Sequence, residues 1–285
     1  MQPSSQYRPT WAEKRLLDNH FEGEPHMNAD KTVLTNWTKK DQDRQNLHLQ
    51  RILDRIHVKT KRQASSVVIF DLDGTLFDNR PRTMYIFRQI ADQFYDQVPQ
   101  LVKAVESGEI NNLDNYQYGP EDSLACLGVT DENEIKLIKA EWSKRFFTDY
   151  YQQYDVPLPG AKKFVSDVYE AGATVIYLTG RDVNMLVGLT QTLRMCGFPV
   201  GVVGTMTMTK KDFNQDDGMF KDEVAAYLDR LGEVVGIFEN EPTNSNLFQK
   251  NFPGATSMFL LTQHRPDAPE LDDGITPIRD FRILN

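Results

Sequence analysis

The sequence predicts an α/β fold, a parallel sheet covered by helices on both faces, and three short apolar runs carry that prediction. Val67-Val68-Ile69-Phe70 is followed by Asp71-Leu72-Asp73-Gly74-Thr75, Thr174-Val175-Ile176-Tyr177-Leu178 by Thr179-Gly180-Arg181-Asp182, and Val234-Val235-Gly236-Ile237-Phe238 by Glu239-Asn240-Glu241-Pro242. Each run is β-branched or aromatic, too short for a buried helix, and stops abruptly at polar residues. Helical periodicity separates them: Ala161, Phe164, Val165 and Val168 share one face, and Val224, Ala225, Leu228 and Leu231 another. Strands that alternate with helices form parallel sheets buried on both sides. Residues 200–203 and 257–261 are read as further strands. In such sheets ligands bind at the carboxyl ends of the strands, where all three polar clusters fall.

Composition narrows the function. The chain has 285 residues and 40% hydrophobic residues, enough for a sizeable core. A mean hydropathy of −0.52 with no long apolar run excludes a membrane span. Lys and Arg number 32 against 41 Asp and Glu, a net charge of −9 that disfavours coating of nucleic acid by phosphate neutralisation. Cys126 and Cys196 are the only cysteines, too few for a disulfide framework or a thiolate zinc site. With no apolar secretory segment at the amino end, a cytoplasmic location is expected.

Residues 1–64 carry a net charge of +4 and the remainder −13. Four of the five histidines, His20, His26, His48 and His57, lie in that first part, so chemistry in the main body rests on other groups. Residues 1–40 are polar and aperiodic. Leu49, Ile52, Leu53 and Ile56 recur at helical spacing and predict a helix over 41–58. The basic residues Arg51, Arg55, Lys59, Lys61 and Arg62 are read as a solvated face, with an anionic partner such as nucleic acid as the alternative. Residues 81–156 read mostly as helix, over 82–94, 100–106 and 134–151, too long for an ordinary crossover. A helical insert beside the strand ends is placed to act as a lid.

Asp71 and Asp73 stand two apart at the end of a buried strand. Adjacent carboxylates are tolerated when a cation neutralises them, when one is protonated, or when both serve a reaction. Oxygen donors without histidine or cysteine select a hard cation, Mg²⁺ above all.

The full string Asp71-Leu72-Asp73-Gly74-Thr75-Leu76-Phe77-Asp78 after its apolar strand resembles the first motif of the haloacid-dehalogenase-like hydrolase superfamily. Thr179 matches the second motif, Lys221 the third and Glu239-Asn240-Glu241 the acidic fourth. The resemblance spans residues 66–261. It implies a Rossmann-like three-layer core over 65–80 and 157–285, a C1-type helical cap over 81–156, and a partly helical extension over 1–64. It further implies a Mg²⁺-dependent phosphatase acting on a small phosphorylated metabolite. Asp71 is the implied nucleophile, forming an aspartyl-phosphate, and Asp73 the general acid and base. Thr179, the backbone at Leu72, and Gly180 hold phosphoryl oxygens, Lys221 supplies fixed positive charge, and Thr75 orients the loop. Asp71, Asp73 and Glu239 are the implied metal ligands, with Asn240 the alternative to Glu239. An Asp at position 73 favours phosphate chemistry over dehalogenation in this superfamily. Lys210 and Lys211 are rivals to Lys221 but end a strand-like run over 204–209. Arg181 either meets a substrate anion or pairs with a nearby acid. Aromatic residues of the insert, Tyr116, Tyr118, Trp142, Phe146, Phe147 and Tyr150, either contact substrate or fill the insert's own core. Two alternatives stand beside the phosphatase: a phosphotransferase or polynucleotide-end phosphatase using Arg51–Arg62, and a catalytically weak binding module.

Overall fold

The computed structural model describes residues 37–284 except residue 229. His20, His26 and the first 36 residues of the expected extension lie outside the described residues.

The first described helix, α1 (Lys39–Lys61), starts two residues earlier than its apolar periodicity indicates, because Thr38 caps it. The amide of Asp41 donates to the Thr38 hydroxyl at 3.2 Å and the Asp41 carboxylate accepts from the Thr38 amide at 3.0 Å. Its buried stripe is the predicted one, Leu49, Ile52, Leu53 and Ile56. These residues enter the same apolar cluster as Val68 and Phe70, so the change of composition near residue 64 does not separate α1 from the core. Gln45, buried in the same helix, donates to the Arg282 carbonyl at 2.9 Å and accepts from the Arg279 amide at 3.0 Å, tying α1 to the last residues of the chain.

The sheet has six strands: β1 (Ser66–Phe70), β4 (Thr174–Asp182), β5 (Thr205–Lys210), β6 (Glu233–Glu239), β7 (Thr256–Leu260) and β8 (Thr276–Ile278). All neighbours are parallel and the spatial order is β5-β4-β1-β6-β7-β8. The chain therefore builds outward from β1 in one direction, then returns to the other side of β1 at β6. That reversal is the topological switch point, where the two sets of crossover connections diverge and leave a crevice above the strand ends. One face is covered by α1, α6 (Ala161–Glu170) and α7 (Leu186–Met195), the other by α8 (Asp217–Leu228) and α9 (Pro242–Asn251). Side chains of β1 alternate between them, Val68 and Phe70 facing the first layer and Val67 and Ile69 the second.

The strand expected at residues 200–203 is not formed. Val202 and Val203 are exposed and lie in a turn closed by Gly204 at φ +86°, and the edge strand follows it at Thr205–Lys210. Val200 is anchored in the core cluster while the rest of the run turns outward, and the half-exposed alternation of Thr and Met after it fits an edge.

Between β2 (Phe77–Asp78) and β3 (Val156–Pro157), an antiparallel pair, the chain forms α2 (Arg80–Gln93), α3 (Pro99–Glu106), α4 (Pro120–Cys126) and α5 (Glu132–Phe146). These helices enclose a second apolar cluster around Phe87, Ile90, Leu101, Leu124 and Ile138. The helix expected over 134–151 ends at Phe146. Phe147 leaves helical geometry at ψ 43°, and a separate 3₁₀ turn follows at Tyr150–Tyr154. No described helix is long and apolar enough to cross a membrane.

Ile52 lies against Gly236 of β6, where an added Cβ would stand 3.1 Å from its side chain. With the Ile52 side chain fully buried, Ile52→Ala is expected to lower stability by about 2–5 kcal/mol. Leu47→Ala, on the exposed face of the same helix, is expected to stay within about 0.5 kcal/mol. Urea denaturation of both variants measures the difference, and equal effects would contradict the packing of α1 on the sheet.

Candidate active site

The carboxyl ends of β1 and β6 are locked together just before the polar residues begin. Phe70 and Phe238 are register partners whose rings stack at 4.8 Å and 12°, with Phe164 and Phe281 packed around them. The Asp71 amide then donates to the Phe238 carbonyl at 3.0 Å. Asp71 and Glu239, the next residues on the two strands, therefore leave the sheet side by side.

The loop after β1 is a tight turn. The Leu72 carbonyl accepts from the amides of Thr75, Leu76 and Phe77, and the Gly74 amide donates to the Phe77 carbonyl at 2.8 Å. Gly74 adopts φ +77°, and a Cβ there would lie 2.2 Å from Nδ2 of Asn240. Both backbone conformation and space thus require glycine. The Thr75 hydroxyl donates to Oδ1 of Asn240 at 3.2 Å, while Asn240 Nδ2 donates to the Gln263 carbonyl at 2.8 Å. Both ends of the Asn240 amide are occupied in holding loops.

Lys221, one turn into α8, is buried and reaches the first pair of carboxylates. Its ammonium lies 3.0 Å from Oδ1 of Asp71, 2.8 Å from Oε2 of Glu239 and 3.7 Å from Asp217. Burial alone would lower its pKa, but Asp71 and Glu239 outweigh that and raise it well above the usual lysine range. The other Glu239 oxygen accepts from the amides of Asn240 and Glu241, each at 3.0 Å. Asp71 behaves differently. Burial and the adjacent Glu239 push its carboxyl well above the usual carboxylate range, against the single lysine. Burial followed by Glu239 also pushes Glu241 up to about 7. The pocket thus holds more negative charge than its cations neutralise. Lys210 and Lys211, the rival lysines, lie at and beyond the end of edge strand β5 and do not join this group.

Asp73 is held by a second group that the sequence did not reveal. Arg181, after Thr179 and Gly180 on β4, grips it through Nε and Nη2, both at 2.7 Å, and Arg82 of α2 adds a contact at 3.1 Å. Asp155, wholly buried just before β3, accepts from Nε of Arg82 at 2.7 Å and from Arg181 at 2.8 Å. Gln152 accepts from the remaining Arg181 nitrogen. Burial opposes ionisation of Asp73, yet Arg181 and then Arg82 outweigh it and hold the carboxyl below the usual range. Of the two expectations for Arg181, the geometry shows the acid pairing, with Asp73 and Asp155 as its acids; Asp182 instead caps a 3₁₀ turn through the Asn184 amide at 2.8 Å. Arg82 carried one signal in the sequence, a charge one turn before buried Ile86, and Asp155 carried none.

Asp71, Asp73, Gly74, Thr179, Gly180, Lys221, Glu239, Asn240 and Glu241 line one cavity of about 400 Å³, closed on its far side by the helical insert. Thr179 is buried and its hydroxyl accepts from the Arg181 amide at 3.2 Å. Gly180 leaves room for Asp217, whose Oδ1 would be 2.3 Å from a Cβ there and has no hydrogen-bond partner. Leu72 is fully buried. Cys126 and Cys196 are free thiols outside the cavity.

A metal ion in this cavity would meet an all-oxygen donor set, since no histidine or cysteine lines it. Of the six carboxylates that face it, Asp78 is paired with Arg80 and Asp73 with Arg181 and Arg82, which leaves Asp71, Asp217, Glu239 and Glu241 around the single Lys221. That excess, together with the raised Asp71 carboxyl, fits a hard divalent cation. Among the described residues no three acidic, histidine or cysteine side chains are drawn into a preformed cluster, so the fit is one of donor chemistry.

Removal of Asp155 would leave two buried guanidinium groups sharing one carboxylate. Asp155→Ala is therefore expected to cost about 3–5 kcal/mol of stability. Chemical denaturation measures it, and a loss below about 1 kcal/mol would show that the four charges do not act as a unit.

Solved structures with a similar arrangement include the class C acid phosphatase from Bacillus anthracis with tungstate bound, at 12% identity and a TM-score of 0.41 over 74% of this chain and 68% of that one. Protein tyrosine kinase A of Mycobacterium tuberculosis matches at 18% and 0.45 over 75% and 94%. A hydrolase from Streptococcus pneumoniae matches at 9% and 0.41 over 66% and 89%. No curated protein matches the chain. The model of the haloacid dehalogenase-like hydrolase family matches residues 66–212, which takes in β1 through β5 and the residues from Asp71 to Arg181. A doubly wound sheet with paired aspartates at its switch point and this match over half its length make the chain a member of the haloacid dehalogenase-like hydrolase family.

Proposed function

We propose that the protein hydrolyses a phosphate monoester, with Asp71 as the nucleophile, in a Mg²⁺-dependent reaction. The observation that carries this reading is the placement of Asp71: at the switch point of the sheet, on the floor of the cavity, sharing Lys221 with Glu239. An Asp oxygen bonds to phosphorus as the bond to the leaving oxygen breaks, giving an aspartyl-phosphate and an alcohol. Water then attacks phosphorus, the bond to Asp71 breaks, and inorganic phosphate leaves.

Each neighbouring group has a task in these two steps. Lys221 holds Asp71 oriented and offsets charge as the phosphoryl group approaches. Thr179, the backbone at Leu72 and the open face of Gly180 accommodate the phosphoryl oxygens. Asp73, ionised between Arg181 and Arg82, is set to accept a proton from the hydrolytic water. Proton donation to the leaving group in the first step requires it to be released from that clamp. Asp71, the main-chain carbonyl of Asp73, and Glu239 are the residues that would hold the cation. Asn240 is less suited because Thr75 and Gln263 occupy its amide. When bound, Mg²⁺ neutralises phosphoryl charge so that an anionic nucleophile can approach. The residues between β2 and β3 serve as the cap, since they close the far side of the cavity.

The polynucleotide-end alternative is less well supported. Arg55 and Lys59 both pair with Glu233 at the amino end of β6, whereas the cavity is at the carboxyl end. A small phosphorylated metabolite fits the cavity volume better than a strand reaching across the molecule.

Asp71→Asn is expected to reduce phosphate release from 4-nitrophenyl phosphate at least about a thousandfold, with an unchanged circular dichroism spectrum. EDTA is expected to silence the parent protein and Mg²⁺ to restore it. Turnover retained in Asp71→Asn would overturn the mechanism, and no turnover of any phosphate ester with millimolar Mg²⁺ would favour a binding module instead.

A further inference from the structure

The wall of the cavity contributed by the insert differs in kind from the floor. Trp142 and Phe146 of α5 and Phe147, the residue after it, form one side, and Tyr116 and Tyr118 of the loop before α4 form another. Three of these rings have structural work. Phe146 stacks on Trp142 at 4.3 Å and lies under the Arg82 guanidinium, also at 4.3 Å, while the Tyr116 hydroxyl donates to the Ile110 carbonyl inside the second apolar cluster. Phe147 meets Phe146 and Trp142 edge-on at 5.1 and 5.8 Å, yet it and Tyr118 stay 37% and 51% exposed and belong to none of the three apolar clusters. Phe213, from the loop after β5, meets Phe147 edge-on at 5.0 Å, so an aromatic rim joins insert to core at the cavity.

The polar groups on the same wall are already committed to one another. The Trp142 indole donates to the Thr83 hydroxyl at 3.3 Å, the Ser123 hydroxyl donates to the Gly119 carbonyl at 2.8 Å and accepts from the Gln117 amide, and the Gln117 side-chain NH₂ donates to the Asp114 carbonyl. The side-chain NH₂ of Asn79 donates to Asp73, and Arg80 is bidentate to Asp78 at 2.8 and 2.7 Å. A leaving group rich in hydroxyls would have to break these bonds to replace its own hydration. A second anionic group would face six lining carboxylates and the two cations those carboxylates already hold. Ring faces are what the wall offers.

Building on the phosphatase reading, we infer that the substrate class is an aryl phosphate monoester whose aromatic leaving group carries no second anionic group. Its phosphoryl group would stand on the floor at Asp71 and its ring against Phe147 and Tyr118.

Steady-state hydrolysis of acetyl phosphate, phenyl phosphate, 4-carboxyphenyl phosphate and glucose 6-phosphate tests this with the full-length protein and Mg²⁺. The expected order of kcat/KM is phenyl phosphate above 4-carboxyphenyl phosphate and above glucose 6-phosphate, by about tenfold or more each. In Phe147→Ala the ratio of kcat/KM for phenyl phosphate to that for acetyl phosphate is expected to fall about three- to tenfold, chiefly through KM, with Phe147→Leu intermediate. Equal rates on phenyl and 4-carboxyphenyl phosphate, a preference for glucose 6-phosphate, or an unchanged ratio in Phe147→Ala would overturn the inference while leaving the phosphatase standing. Absence of turnover on all four phosphates would overturn both.

Discussion

Four charged side chains, Arg82, Arg181 and Asp155 almost wholly buried and Asp73 partly so, tie the core to the apolar cluster of the insert. Asp73 and Arg181 come from the core, Arg82 and Asp155 from the two ends of the insert, and each guanidinium touches both carboxylates. Taking one such ion out of water costs several kcal/mol, and only close, hydrogen-bonded pairing returns it. The group therefore has to be complete or absent. It sits beside β2 and β3, the short antiparallel pair through which the chain enters and leaves the insert, so docking of the insert and placement of Asp73 are one event.

The same economy of charge explains where the chemistry can occur. β1 is flanked by β4 and β6 because the chain reverses its direction of winding there, and all three strands end in polar residues at one edge of the sheet. Helices on both faces exclude water from the strands, so the carboxylates that leave them are poorly solvated. Lys221 compensates part of this for Asp71 and Glu239, and the guanidinium pair does so for Asp73. The result is two aspartates two residues apart with opposite electrostatic fates: Asp71 is pushed toward protonation by burial and Glu239, whereas Asp73 is fixed as a carboxylate. Different roles for the two follow from their partners, since their chemistry is identical.

Local patterns were enough for much of this. β1, β4 and β6 lie within a few residues of their apolar runs, because a strand buried on both faces admits little else. The buried stripe of α1 was readable for the same reason, although its start depends on a cap that apolar spacing does not register. Thr75, Thr179 and Lys221 were assignable through the motif resemblance; the structure brings Thr179 and Lys221 to the cavity and buries Thr75 behind it against Asn240. What stayed hidden were contacts between residues far apart in sequence. Asp155 is one acid among many until folding places it between Arg82 and Arg181. The run at 200–203 shows the opposite failure: it has strand composition, but only Val200 packs into the core while Val202 and Val203 face solvent, and hydrophobicity alone does not create a strand.

Glu239 shows how one methylene changes a site. An aspartate at the end of β6 would have a shorter reach from the same backbone position. The longer side chain curls so that one oxygen accepts from the amides of the two residues that follow, and the other meets Lys221. This gives the carboxylate three donors within its own segment and the adjacent helix, which accounts for its tolerance of near-complete burial. The cost falls on Asp71, which must share that lysine and accept a second negative charge beside it. A cation entering the cavity would meet Glu239 already oriented and Asp71 still short of positive charge. Asp71, more than the residue that ends β6, is therefore the group whose state depends on what the cavity binds.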